Sequence, residues 1–160
     1  MNRSLPTVAM LLGIAGLIPF FACGLGALTG EAYAGRALLA LTAYGAIVLG
    51  FLGGVHWGFG LDAAGSAPAD VQRARFGLGV VPSLIGWVAL LVTFLGYERT
   101  ALVVLLIGYI VTTIMEARAS RRGFMPRGYM GLRWVLSAVV IVLLVSVWLV
   151  LTLNGRIMLW

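Results

Sequence analysis

Two apolar segments of this sequence carry the polar side chains that could do chemistry. One segment has four polar residues spaced i, i+3, i+4 and i+7, namely Tyr109, Thr112, Thr113 and Glu116. This spacing places all four on one face of a helix. The other segment, FLGGVHWGFG, contains His56 with Trp57 beside it. These six residues are the candidate ligand or proton site.

The pairing of His56 with Glu116 gives this candidate site three possible roles. Each residue is expected about one turn from the same end of its helix, so the two side chains can share a depth. Such a pair could hold a proton, orient the polar head of a ligand, or tie two helices together. Alternatively, Glu116 pairs with Arg118 or a loop arginine, while His56 bonds a backbone carbonyl.

The remaining residue types argue against catalysis by this chain. The sequence has one histidine, and Cys23 is its only cysteine, so a catalytic metal site or Cys-based cluster is not expected. A haem held by His56 alone has no further support. No nucleophile–base pair, phosphate loop or dinucleotide fingerprint is present. We predict a non-enzyme without metal or cofactor.

The composition requires a membrane as solvent. Hydrophobic residues make up 62% of the 160 residues, whereas roughly 45–50% is usual in soluble domains. The net charge of +6 comes from arginines placed between long apolar stretches, which is typical of membrane loops. This distribution excludes a water-soluble fold and argues against a nucleic-acid-binding surface.

The apolar stretches predict an all-α integral membrane protein with five transmembrane helices in a single domain, residues 1–160. A membrane helix needs about 20 apolar residues. Five stretches are long enough: Leu5–Thr29, Arg36–Leu61, Ala74–Gly96, Ala101–Ala119 and Leu132–Leu153.

The arginines predict the orientation of the chain. Cytoplasmic loops carry an excess of basic residues, and a cytoplasmic N-terminus puts eight arginines inside: Arg3, Arg73, Arg75, Arg118, Arg121, Arg122, Arg127 and Arg133. Only Arg36, Arg99 and Arg156 then lie outside, together with the C-terminus. The expected location is the bacterial inner membrane.

The loop between the fourth and fifth predicted helices indicates contact with lipid headgroups. It interleaves Arg121, Arg122, Arg127 and Arg133 with aromatic and methionine side chains. A basic residue near an anionic membrane surface contributes about 1 kcal/mol. We therefore predict anionic lipids as partners of this loop.

Small residues predict how the helices pack. Membrane helices associate where backbones approach closely, and the second helix has a four-residue repeat of small side chains: Ala46, Gly50, Gly54 and Gly58. Gly53 lies with His56 on another side, so this helix is expected in the middle of the bundle. Kinks are expected near Pro19 and Pro82, and the fifth helix is expected to be the most exposed to lipid.

Four segments of the chain resemble a family of bacterial membrane proteins of unknown function (DUF3429), related to mitochondrial transmembrane protein 69. The segments are LLGIAGLIPF at 11–20, YGAIVLGFLGGVHWGF at 44–59, VVPSLIGWVAL at 80–90 and MPRGYMGLRW at 125–134. The resemblance implies a five-helix inner-membrane protein. Its mitochondrial relatives imply an energy-transducing membrane and accessory or assembly work.

Two functions follow as expectations. The first is a non-enzymatic accessory or assembly protein that binds lipid, a partner membrane protein or a second copy of itself. The alternative is a small proton or solute conduit, or a site for a hydrophobic, quinone-like ligand, built on His56 and Glu116.

Overall fold

The computed structural model describes residues 7–29, 33–62, 69–121 and 129–157, and they form helices without any strand. The helices are α1 (Thr7–Ala15), α2 (Ile18–Leu28), α3 (Ala34–Asp62), α4 (Ala69–Phe94), α5 (Glu98–Arg121) and α6 (Tyr129–Ile157). Together α1 and α2 form one span, so five spans are long and apolar enough to cross a membrane. The prediction of an all-α chain with five such helices is confirmed.

The first span is broken between its two halves at Gly16 and Leu17. The Leu17 amide donates to the carbonyl of Ile14 at 2.9 Å, a tighter turn than an α-helix makes. Pro19 falls in the first turn of α2, where its missing N–H costs nothing. The break therefore precedes the proline instead of being centred on it. Pro82 lies inside a helix that continues to Phe94.

A side chain from α3 holds this break in place. The Tyr44 hydroxyl donates to the Gly16 carbonyl at 2.9 Å. The Tyr44 ring also packs edge-on against Phe20, with centroids 5.0 Å apart. Phe20 reaches Tyr109 of α5 in a similar edge contact at 6.2 Å. Aromatic side chains thus join α2, α3 and α5 in the core.

The turn between α4 and α5 is set by Gly96. Its φ of 81° lies in the left-handed region that glycine adopts without strain. The Tyr97 amide bonds the Val92 carbonyl, and the Gly96 amide bonds the Thr93 carbonyl. This pair of bonds is the Schellman helix ending. It lets α5 return directly alongside α4.

The helices form a ring in which α3 is the most connected member. Contacts run from α2 to α3, α4, α5, α6 and back to α2, and α3 also touches α5 across the ring. The prediction of a central second span is confirmed. The prediction for the fifth span is wrong: 11% of the first span is buried against 22% of the fifth. The break explains this, because α1 buries none of its residues.

The closest helix packing joins α3 to α4 through glycines. A Cβ added to Gly53 would collide with the Gly79 carbonyl, and one added to Gly86 would lie 2.9 Å from the Ala46 carbonyl oxygen. A Cβ on Gly79 would overlap the Trp57 ring. We call Ala46, Gly53, Gly79 and Gly86 the glycine interface.

Only the first half of the predicted small-residue repeat lies against a described helix. Gly50 faces Ser83 of α4, but a Cβ added to Gly54 or Gly58 would meet nothing within 4 Å. A four-residue repeat advances about 40° around a helix at each step, so it leaves the interface after two steps. The interface instead follows Ala46 and Gly53, seven residues apart, as in helices that cross at a small angle.

Candidate functional site

Three helices bring His56, Glu116 and Arg133 together inside the bundle. Glu116 of α5 is 0% exposed, His56 of α3 is 2% exposed and Arg133 of α6 is 5% exposed. The Arg133 Nε donates to Glu116 Oε2 at 2.5 Å. The His56 Nε2 lies 3.3 Å from Glu116 Oε1. One buried carboxylate therefore links three separate spans.

Two hydroxyls extend this arrangement. Arg133 Nη1 donates to the Ser137 Oγ at 2.7 Å, and the Thr113 Oγ1 donates to the same oxygen at 3.0 Å. Both hydroxyl-bearing residues are buried, with Ser137 2% and Thr113 3% exposed. We call His56, Thr113, Glu116, Arg133 and Ser137 the polar cluster.

Helical spacing explains why the cluster forms. Thr113 and Glu116 are three residues apart on α5, and Arg133 and Ser137 are four residues apart on α6, so each pair shares one helix face. His56 follows the buried Leu49 and Leu52 by seven and four residues. The face of α3 that is apolar at mid-membrane thus becomes polar near the end of the helix.

Tyr109 and Thr112 are also buried, at 1% and 3% exposure. The Tyr109 hydroxyl donates to the Gly45 carbonyl at 2.9 Å and so ties α5 to α3. Tyr109 lies two helical turns from Glu116 along α5. The predicted polar face therefore has two separate parts. The Tyr109 hydroxyl bonds α3 near the middle of α5, and the charged Glu116 lies near the end of α5.

Trp57 lies apart from the polar cluster. Its Nε1 donates to the Phe76 carbonyl of α4 at 3.2 Å, and the two rings stack edge-on with centroids 5.1 Å apart. Trp57 is 44% exposed. Neighbouring residues on a helix point about 100° apart, so His56 and Trp57 face different helices. The structure therefore does not bring Trp57 together with the other candidate residues.

Arg133 is the main residue whose role the sequence reasoning missed. It was expected among the headgroup arginines, yet it is buried against Glu116. Arg133 directly follows the basic loop, which is why a headgroup contact was predicted for it. It nevertheless belongs to the helical segment GLRWVLS. The expected pairing of Glu116 with Arg118 or a loop arginine is met by Arg133, whereas Arg118 is exposed. The side chain of Arg121, and all of Arg122 and Arg127, fall outside the described residues.

Ser137 was also missed, although a signal for it existed. A serine four residues after an arginine in an apolar helix can accept a bond from that arginine. The segment from Leu132 to Ser137 reads LRWVLS and has no other polar side chains than these two. A search for pairs at helical spacing would have joined Arg133 to Ser137.

Two atoms of the cluster lack a hydrogen bond from any described residue. They are Glu116 Oε1 and Arg133 Nη2. The His56 Nε2 lies 3.3 Å from Oε1 without a hydrogen bond to it. A buried acceptor and a buried donor therefore stay available at one ion pair. Such an arrangement can hold a small polar group or pass a proton.

Within the four described ranges, no group of three or more His, Cys, Asp or Glu side chains could hold a metal ion.

An apolar groove on the lipid-facing surface runs between α2 and α6. It is lined by Phe21, Gly24, Leu25, Leu28, Ala138, Val139, Val142, Leu143 and Ser146. The Ser146 hydroxyl is bonded to the Val142 carbonyl at 2.8 Å. The lining is otherwise aliphatic or aromatic, which suits a lipid acyl chain.

Comparisons with known proteins agree on a membrane protein of unknown activity. Residues 5–149 match the family described as a protein of unknown function, DUF3429. Transmembrane protein 69 of Xenopus tropicalis is 37% identical over 106 residues, which is 66% of this chain and 41% of that protein. The mouse protein of the same name is 37% identical over 103 residues, covering 64% and 40%.

The chain thus spans about two fifths of the length of these relatives. No solved structure matches it.

Proposed function

Because this chain belongs to the DUF3429 family of proteins of unknown function, we propose that it is a non-enzymatic accessory or assembly protein of the inner membrane. It binds a partner membrane protein or a second copy of itself through α3, and it contacts anionic lipid through its basic loops. The similarity to transmembrane protein 69 supports a membrane location, and we propose that this membrane is an energy-transducing one.

The observation that carries this proposal is an open glycine face on α3. Gly54 and Gly58 are exposed, with space around both for a side chain. Phe51 and Leu61 flank them and are 68% and 62% exposed. Glycines let another helix approach closely, and bulky neighbours can fill the grooves of that helix. A partner helix would find both features here.

The proposed orientation has the N-terminus in the cytoplasm and the C-terminus outside. With Arg133 assigned to the polar cluster, seven arginines still lie on the proposed inner side and three on the outer side. The basic excess is what sets orientation. Cysteine labelling from either side of the membrane checks it: reagent that reaches an introduced cysteine at Arg118 only from the periplasm would overturn this orientation.

Substitution of the open glycines tests the accessory role. Gly58→Leu fills space that no described atom occupies, so the protein is expected to fold and to lose its co-purifying partner or its dimer. Gly77→Leu is the matched control, because Gly77 is exposed on α4 with equal space around it. Purification in mild detergent followed by mass measurement reads the result. A wild-type protein that is strictly monomeric and partner-free would contradict the proposal.

A second candidate function is supported by the polar cluster itself. Intramembrane ionisable residues often mark ligand or proton sites, and here Glu116 Oε1 and Arg133 Nη2 have bonding capacity to spare. The cluster could serve a proton conduit or the head of a hydrophobic, quinone-like ligand. Proton flux into liposomes, compared between wild type and Glu116→Gln, tests the conduit. Equal flux in both, at the level of empty liposomes, would remove it.

A further inference from the structure

We propose that the polar cluster binds one uncharged hydroxyl group, held between Arg133 Nη2 and Glu116 Oε1. The hydroxyl comes from water or from an amphiphile whose head enters the bundle. This inference rests on the second candidate function, that the cluster is a ligand or proton site, and it specifies the chemistry of what binds.

The bonding capacity of the two atoms selects a hydroxyl. Arg133 Nη2 is a donor and Glu116 Oε1 is an acceptor, and both are buried without a hydrogen bond from the described residues. A hydroxyl is the smallest group that accepts from one atom and donates to the other. An ether or ketone oxygen could satisfy only the arginine. A buried polar atom left unsatisfied costs free energy, so a group that serves both is favoured.

The charges select an uncharged ligand. Glu116 and Arg133 form an ion pair in which both residues are buried, and their charges cancel. An added anion or cation would leave a net charge inside the bundle, and the low dielectric there makes such a charge costly. A neutral hydroxyl adds hydrogen bonds without adding charge.

Other contacts from three helices hold both side chains of this ion pair. Arg133 is held by its Nε on Glu116 Oε2 and by its Nη1 on Ser137. Ser137 is in turn bonded by Thr113 of α5. The second carboxylate oxygen faces His56 of α3. Three helices thus fix an ion pair in which Arg133 bonds Glu116 through Nε alone. A guanidinium can also bond a carboxylate through two nitrogens at once.

The cluster is close enough to a helix end for an amphiphile to reach it. Arg133 is four residues after Tyr129, where α6 begins, a rise of about 6 Å. A headgroup-level hydroxyl on a long apolar chain could therefore enter at this end.

Thermal unfolding with three matched probes tests the amphiphile source. The probes are 1-dodecanol, dodecyl methyl ether and dodecane, added to the full chain in nanodiscs. If an amphiphile supplies the hydroxyl, dodecanol raises the melting temperature by about 2–4 °C, while the ether and the alkane do not. Arg133→Lys keeps the charge but removes Nη2, and it should abolish the difference between probes. The wild-type comparison stands even if that variant does not fold.

Infrared spectroscopy tests the water source. If water supplies the hydroxyl, the three probes give equal melting temperatures, and wild-type protein shows an O–H band that shifts in H₂¹⁸O and is lost in Glu116→Gln. A dodecanol effect or such a band supports the proposal. Neither effect, or an experimental structure with Nη2 bonded directly to Oε1, overturns it.

These results separate the hydroxyl site from the conduit. Proton flux without either hydroxyl signature would leave the second candidate function standing and remove only this inference. A hydroxyl signature without proton flux would remove the conduit and leave a ligand site.

Discussion

The glycine interface and the polar cluster both join α3 to its neighbours, but they do so by opposite means. At the glycine interface, α3 and α4 approach until there is no room for a Cβ at Gly53 or Gly79. At the polar cluster, long side chains span the gap between α3, α5 and α6 and end in an ion pair. Lipid is as apolar as leucine, so neither contact gains much from the hydrophobic effect.

The difference lies in what each region tolerates. The glycine interface depends on shape, so it fails when an atom is added. The polar cluster depends on matched charge, so it fails when one partner is removed. Three variants measure this contrast, and Tyr109→Phe adds a hydrogen bond outside both regions for scale. They follow in order of decreasing expected effect on the free energy of unfolding.

The largest effect is expected for Glu116→Leu. It leaves Arg133 as an unpaired charge inside the bundle, and breaking a buried pair in this way costs about 3–5 kcal/mol. Glu98→Leu is the control, since Glu98 is exposed at the start of α5, and should change stability by less than about 0.5 kcal/mol. Unfolding in bicelles measures both. Equal losses for the two variants would show that Arg133 does not depend on Glu116.

Gly53→Ala is expected to come next. The added methyl group would collide with the Gly79 carbonyl, and overpacking of this kind typically costs about 1–3 kcal/mol. Gly54→Ala supplies a control one residue away, because nothing lies within 4 Å of its Cβ. Alanine is the better helix former by roughly 0.5–1 kcal/mol, so the control should be neutral or slightly stabilised. If Gly54→Ala lost more stability than Gly53→Ala, α3 and α4 would not pack as described.

Tyr109→Phe should have a smaller effect. It removes the hydrogen bond to the Gly45 carbonyl and keeps the ring contact with Phe20. Hydrogen bonds inside membrane proteins average about 0.6 kcal/mol, and a loss of that size is expected. Tyr97→Phe, at an exposed position, should cost nothing. A loss above about 2 kcal/mol would indicate that Tyr109 belongs to a larger network.

The smallest effect is expected for the double variant Glu116→Leu with Arg133→Met. Replacing both members of a buried pair with apolar residues is often neutral. Stability should therefore return most of the way to wild type, with a large coupling between the two sites. A double variant as unstable as Glu116→Leu alone would show that the rest of the cluster, including Ser137 and His56, needs the charges.

The five helices and the approach of His56 to Glu116 could be predicted because they depend on local properties. Length and hydropathy define a membrane span, and helical spacing fixes which residues share a face. Glu116 stands near the end of one span and His56 near the same end of another, so the two residues lie at one depth. The structure places the two side chains 3.3 Å apart.

What could not be predicted depends on how helices turn against each other. Gly54 and Gly53 are neighbours of the same type, and only the crossing of α3 over α4 decides which of them is packed. The burial of Arg133 likewise depends on α6 beginning at Tyr129, one turn before it. Near a span boundary, a charged residue has the same sequence pattern whether it faces headgroups or a buried carboxylate.

Because the first span is interrupted at Gly16 and Leu17, the position of α1 depends on the lipid around it. Beyond that point α1 rests mainly on α6, with no residue enclosed by protein. Its tilt is therefore set by the thickness of the bilayer around it, at a cost of fractions of a kcal/mol per ångström of mismatch. In thinner or thicker membranes this segment would reorient about the tether at Tyr44, while the other spans keep their positions.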